Sequence, residues 1–365
     1  MIQTERLKKL LKRLVDIYSP SGKEEEILNY LKGYLKRHQL PVVAQPVDDS
    51  RFNLVVAPMD ANIHLALIGH LDTVSAYDLE NYGFAEQADT IRGLGTADMK
   101  GGCAAMIEAF VALHETGRIH TPVALCLVVG EEESGDGAEQ LTKTYHFPWA
   151  VIGEPTDLVP CLQSYGYLEI QIITRGKRRH ASLANPRNNA IETMLNRVLR
   201  ISRHIGQAHP EIVYNIRDLF SSPAGFAVPE QCEAWMDIHL PPTAHIGEIV
   251  TELEEVVTSR APGDSDAEVF FRNVTIDAGY EIPEKGSVVE TIQSVYAAMN
   301  RPWQTQAFRS HSDANQIWAA GTKPLLLGPG RLEKAHTPDE AVSFQQVCRA
   351  AEIYLNLILR LSPTE

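Results

Sequence analysis

The stretch "VALCLVVG" (residues 123–130) decides the fold. A strand with one face in water alternates apolar and polar residues. An unbroken apolar run that ends in glycine instead suits a strand covered on both faces, as in a sheet flanked by helices. Upstream, the Gly-rich "GLGTADMKGG" (93–102) leads into a helix from about Met99 to Glu115, and "NLVVAP" (53–58) and "HLALIGH" (64–70) read as neighbouring strands. Downstream, "WAVIGEP" (149–155) is a further short strand. Strands alternating with helices predict an α/β fold with a mostly parallel sheet.

Both chain ends continue this pattern. Leu7, Leu10, Leu11, Leu14 and Val15 follow helical spacing over 4–18. A second helix follows, with Ser21 and Glu24 spaced as a capping box. Late in the chain come a helix over 286–300, the buried strand "KPLLLGPG" (323–330) and a closing helix over 343–361. Between these ends the pattern changes. "GYLEIQIITRG" (166–176), "CEAWMDIHL" (232–240) and "EVFFRNVTI" (268–276) are strands, the first two plainly alternating apolar with polar residues. Helices near 188–205 and 245–259 separate them. The expected organisation is therefore a discontinuous α/β domain, residues 1–163 and 279–365, interrupted by an α+β domain at 164–278 with antiparallel strands.

Composition narrows the function. A chain of 365 residues is long for one core. The net charge of −14, without a basic run, argues against nucleic-acid binding. No apolar run reaches the roughly 18 residues of a membrane span, and "MIQTERLKKLLKRL" is too charged for a signal peptide. Five cysteines without CxxC spacing are expected to be reduced thiols of a cytoplasmic protein.

Acidic residues and histidines gather where strands end. His70 and Asp72 close one strand, and Asp98 precedes a helix. Glu131, Glu132 and Glu133 follow the opening run, Glu154 ends "VIGE", and His336 follows the strand "KPLLLGPG". Singly, each has an ordinary explanation: a surface pair, a helix cap, a solvated acidic run, a loop histidine. In an open α/β sheet, however, ligands bind at the carboxyl ends of the strands. Carboxylates and imidazoles meeting there would be costly to desolvate unless cations held them. The mixed donors suit Zn²⁺, with Mn²⁺ or Co²⁺ as substitutes.

"GHLDTV", "GLGTADMKGG", "GEEESGDGA", "VIGEPTD" and "SHSDANQIWAAG…GPG…HTPDE", in this order over about residues 68–340, resemble the successive motifs of the dinuclear zinc amidohydrolases. That family includes acetylornithine deacetylase, succinyl-diaminopimelate desuccinylase, aminoacylases and exopeptidases. The resemblance implies a zinc-binding domain interrupted by a lid or dimerisation domain. It implies that His70 and Glu154 hold one ion, Glu133 and His336 the other, and that Asp98 bridges them, with a cis peptide after Asp98. Asp72 would orient His70 through its other ring nitrogen. Of the glutamates, Glu132 is expected as general base and Glu133 as ligand, with Glu131 preceding the pair. Counting back from "GDGA" places the pair on Glu131 and Glu132 instead. His180, in "RGKRRHASL", matches the family histidine that enters the partner subunit's site, which implies a homodimer.

The expected reaction is hydrolysis of the amide of a small N-acyl amino acid by water activated between two zinc ions, in amino-acid biosynthesis. Acetylornithine, acetyl-lysine or succinyl-diaminopimelate is the expected type of substrate. The alternative is a di- or tripeptide exopeptidase on the same ions. Relatives commonly carry Asp-x-Arg where this chain has "MDIHL", so His239 stands in the place of a carboxylate-binding arginine. Arg309 and the cluster Arg175, Lys177, Arg178 and Arg179 are other candidate carboxylate binders, or solvated charge. Asp313 is either an acceptor for a substrate amine or the cap of a helix beginning at Ala314.

Overall fold

The computed structural model describes residues 1–57, 63–117, 121–185, 188–223, 225–260 and 266–361. They form two compact units. One draws on Met1–Gln163, Ile282–Phe308 and Ser312–Glu365, the other on Ser164–Glu281 and Arg309–His311.

The first unit is built on a sheet ordered Val42–Pro46, Phe52–Val56, Val123–Val128, Leu65–His70, Trp149–Ile152 and Lys323–Leu326. The last four strands run parallel, and the first two join antiparallel at one edge. Every residue of Leu65–His70 and of Val123–Val128 is buried, as their apolar runs require. Phe52–Val56 and Leu65–His70 are not neighbours, because Val123–Val128 lies between them. Parallel strands need a crossover, and the helix Gly101–His114 lies in the connection from Leu65–His70 to Val123–Val128. From Gly101 to Leu113 that helix is apolar except for Glu108, which pairs with Arg6, and it is buried throughout that stretch, the sign of a helix covered on every side. The closing helix Phe344–Leu361 and the amphipathic helix Thr4–Asp16 pack against it.

Two local expectations fail here. The second helix runs Glu25–Arg37 without a side-chain cap. Ser21 donates its hydroxyl to Asp72 instead, and Glu24 is buried beside Arg51. The helix after "GLGTADMKGG" begins at Gly101, because residues 96–100 form a separate wide turn.

The second unit is a four-stranded antiparallel sheet in the order Val213–Ser221, Gln231–Leu240, Gly166–Arg175 and Glu268–Asp277. Gln231–Leu240 alternates strictly between half-buried and buried residues. Its buried side chains meet Met194, Ile201 and Ile205 of helix Ala190–Ala208 and Ile249 and Leu253 of helix Ile246–Thr258. The edge strand Val213–Ser221 is mostly exposed and lacks the alternation that betrays a strand in sequence.

One close backbone approach in the first unit lies at Gly102. A Cβ there would stand 2.2 Å from the carbonyl oxygen of Gly153, the residue before Glu154. Gly102→Ala is therefore expected to lower stability by about 1–3 kcal/mol, the usual cost of overpacking. A fall in the urea midpoint at unchanged slope would register it, and an unmoved midpoint would show that the backbones are not so close.

Candidate metal centre

Strand register aligns the functional residues. His70 pairs with Val128, and Ile152 pairs with both Ile68 and Leu326, so four parallel strands end along one edge of the sheet. His70 is the last residue of its strand. Glu131 and Glu132 follow Val123–Val128 after two residues, Glu154 follows Trp149–Ile152 after one, and His336 lies beyond Lys323–Leu326. Asp98 enters from the turn before helix Gly101–His114, and its peptide to Met99 is cis, as expected.

Asp98 sits between the two imidazoles. Its Oδ1 lies 3.2 Å from His70 Nε2 and its Oδ2 3.6 Å from His336 Nε2. On the His70 side, Nε2 is 4.0 Å from Glu154 Oε1 and 3.9 Å from Glu131 Oε2. On the other side, His336 Nε2 is 2.8 Å from Glu132 Oε2. His70, Asp98 and Glu132 each offer one ligand atom within 4.8 Å of the others. Glu154 Oε1 is buried and has no hydrogen-bond partner among the described residues. A buried acceptor without a donor, surrounded by carboxylate and imidazole donors, fits a cation.

The glutamate triplet departs from expectation. Glu133 is exposed and stands outside the cluster, and the carboxylate that meets His336 is Glu132. The cause is Asp72. Its carboxylate accepts the amide N–H of Glu131 (3.2 Å) and of Glu132 (3.0 Å), pinning those two residues inward. The chain then turns, with Ser134 and Gly135 N–H both donating to the Gly130 carbonyl, and Glu133 is carried to the surface. Asp72 also accepts from Ser21 Oγ at 2.6 Å. Its contact with His70 is double: Nδ1 is 3.1 Å from the main-chain oxygen of Asp72 and 3.6 Å from its carboxylate. An acceptor on Nδ1 leaves Nε2 as the ligating nitrogen.

Glu340, in "HTPDE", was not singled out in the sequence. It is buried and accepts from the amides of Gly95 (2.9 Å), Ala97 (2.9 Å) and Asp98 (3.1 Å), so it ties the Asp98 turn to the segment bearing His336. Its place in the "HTPDE" motif was the available signal. Tyr77 donates to the main-chain oxygen of His336 at 3.0 Å.

The electrostatics follow from this crowding. Burial, reinforced by neighbouring carboxylates, holds the Glu131 and Glu154 carboxyls well above the usual range, and burial raises Glu132 as well. The hydrogen bond to Glu132 raises His336 to about 9. Burial opposes a charged His70, but the pull of Glu131, Asp72 and Asp98 outweighs it and the ring's pKa rises. Burial pushes the Glu340 carboxyl up to about 7 against the draw of its amides.

The remaining candidates divide by unit. Asp313 belongs to the first unit. It is buried, close enough to raise the pKa of Glu131 and Glu154, and it opens the helix Asp313–Ala319. The cap of that helix is Ser312, not Asp313. His180, His239 and Arg309 belong to the second unit. His180 is exposed, with Nδ1 2.8 Å from Ser182 Oγ. Arg309 is exposed. His239 lies beside Tyr167, with ring centres 5.4 Å apart, and burial lowers its pKa. A neutral imidazole is a weak substitute for an arginine facing a carboxylate. The cluster Arg175, Lys177, Arg178 and Arg179 is exposed, with Arg175 over the Phe270 ring.

The chain is similar to known proteins over most of its length. The chain is 28% identical over 355 residues to the acetylornithine deacetylase of Proteus mirabilis (strain HI4320), covering 92% of this chain and 89% of the relative. It is likewise 28% identical to the acetylornithine deacetylase of Klebsiella pneumoniae (strain 342), covering 87% and 85%. Its fold is similar to that of a Staphylococcus aureus tripeptidase, with a TM-score of 0.83, 23% identity and 99% of both chains covered. Human carnosine dipeptidase 1 is also similar, with a TM-score of 0.78, 13% identity and coverage of 98% and 96%. Residues 66–360 match the model of peptidase family M20/M25/M40, and the chain belongs to this family of metal-dependent hydrolases.

Proposed function

We propose that this hydrolase removes the acyl group from a small N-acyl amino acid, using two divalent cations held at the ends of the parallel strands. The observation that carries the reading is Asp98 standing between two half-sites, His70 with Glu154 and His336 with Glu132. The nitrogen and oxygen donors favour zinc. Extended alignment with acetylornithine deacetylases supports the substrate class.

Bound cations supply the charge that polarises the amide carbonyl and acidifies the attacking water. Everything else falls to this chain's side chains. Glu131 is the general base in this reading, because it reaches the centre but is not the carboxylate facing His336. It takes the water's proton and passes it to the leaving nitrogen, which departs as the free amine. Asp72 sets both the His70 tautomer and the positions of Glu131 and Glu132. Glu340 holds the Asp98 turn. His180 is assigned to transition-state stabilisation in a partner subunit, and the inserted unit to dimerisation. That assignment rests on the family motif and on the histidine's exposure.

Zinc-loaded protein should hydrolyse N-acetyl-ornithine or N-acetyl-lysine in preference to dipeptides, and the reverse preference would make it an exopeptidase. Glu131→Gln should lower kcat by roughly 10²–10⁴-fold, the usual share of a general base, with metal content unchanged. Glu132→Gln should lose metal. An active Glu131→Gln protein, with Glu132→Gln inactive but fully metallated, would move the base by one residue.

Glu340→Ala should weaken metal binding by roughly 10–100-fold, as loss of an outer hydrogen-bond partner does. Unchanged affinity in a competitive zinc titration would remove that role. Loading should also release protons, since His336 titrates near 9 in the metal-free cluster and must be neutral to ligate. Calorimetry at pH 7 in two buffers of different ionisation enthalpy should give different heats, and equal heats would contradict the assignment.

A further inference from the structure

The second unit brings together imidazoles and a carboxylate that the hydrolytic reading does not use. His204 lies near the end of helix Ala190–Ala208, and His209 caps that helix. Glu252 lies on helix Ile246–Thr258. Both imidazoles turn Nε2 to the same carboxylate: His204 Nε2 is 2.6 Å from Oε1 of Glu252, and His209 Nε2 is 2.8 Å from Oε2. One ligand atom from each side chain lies within 4.8 Å of the others.

We propose that His204, His209 and Glu252 form a third cation site, specific for Zn²⁺ or a similar imidazole-seeking divalent ion, separate from the hydrolytic centre. Two imidazole nitrogens and one carboxylate oxygen are a three-ligand zinc set, with water completing the tetrahedron. The side chains are 28%, 22% and 37% exposed, so water has access. Mg²⁺ and Ca²⁺ are disfavoured because they prefer all-oxygen surroundings.

Two features favour a site over a simple hydrogen-bonded staple. The ligands are preset by packing: Ile201 and Ile205 flank His204, Ile249 and Leu253 flank Glu252, and all four are buried in one core. A second carboxylate, Glu211, lies 3.7 Å from Nδ1 of His209, the nitrogen opposite the proposed ligand. A carboxylate in that place fixes the tautomer of a metal-bound histidine.

The test is a competitive zinc titration of the full-length protein, with Glu252→Gln and His204→Gln as variants. Both keep side chains able to hydrogen-bond, so a staple would survive in part while a zinc site would not. Wild type should hold one more zinc per chain than either variant. Affinity at that site should fall by more than the roughly 10–100-fold that loss of an outer partner causes. Added zinc should raise the melting temperature of wild type more than that of the variants, with kcat/KM unchanged in all three. Equal zinc stoichiometry and affinity in wild type and variants would overturn the proposal. The readout is a difference of one equivalent, so it stands whether or not the hydrolytic reading does.

Discussion

The structure depends on the crowding of negative charge at the carboxyl end of one sheet. Asp98, Glu131, Glu132, Glu154 and Asp313 converge on two imidazoles, and most of these groups are buried. Taking such charges out of water costs several kcal/mol each unless opposite charge meets them. The protein alone offers His70 and His336, whose pKa values rise in response. Protonated imidazoles cannot ligate, so the metal-free cluster and the working centre are different charge states of one geometry. In the proposed reading, divalent cations would resolve the conflict by supplying charge while leaving the imidazoles neutral.

Two further carboxylates hold this arrangement without belonging to it. Asp72 joins the end of strand Leu65–His70, the N-terminal Ser21 and the amides of Glu131 and Glu132. Glu340 gathers three amides around Asp98. Each replaces several weak backbone preferences with charge-assisted hydrogen bonds, the stronger kind. The Gly102–Gly153 contact performs the same task by shape, setting helix Gly101–His114 against the backbone that leads to Glu154.

Much of this was legible in the sequence because apolar runs report burial directly. "VALCLVVG" is buried throughout strand Val123–Val128, and the strand-end positions of His70, Glu154 and the glutamates follow from where the runs stop. Two things were less legible. The register of Glu131–Glu133 depends on a turn, and turns carry no period; a distant carboxylate, Asp72, selects the first two. The Ser21–Glu24 spacing matches a capping box, yet tertiary partners claim both side chains. Spatial strand order was also hidden, because sequence adjacency does not show that Val123–Val128 inserts between Phe52–Val56 and Leu65–His70.

Anomalous diffraction at the zinc edge, from crystals grown with zinc, tests the central claim most directly. The account predicts two ions at the strand ends, one against His70 and Glu154, the other against His336 and Glu132, with Asp98 touching both. Ions coordinated by Glu133, or an absence of ions between these side chains, would contradict it.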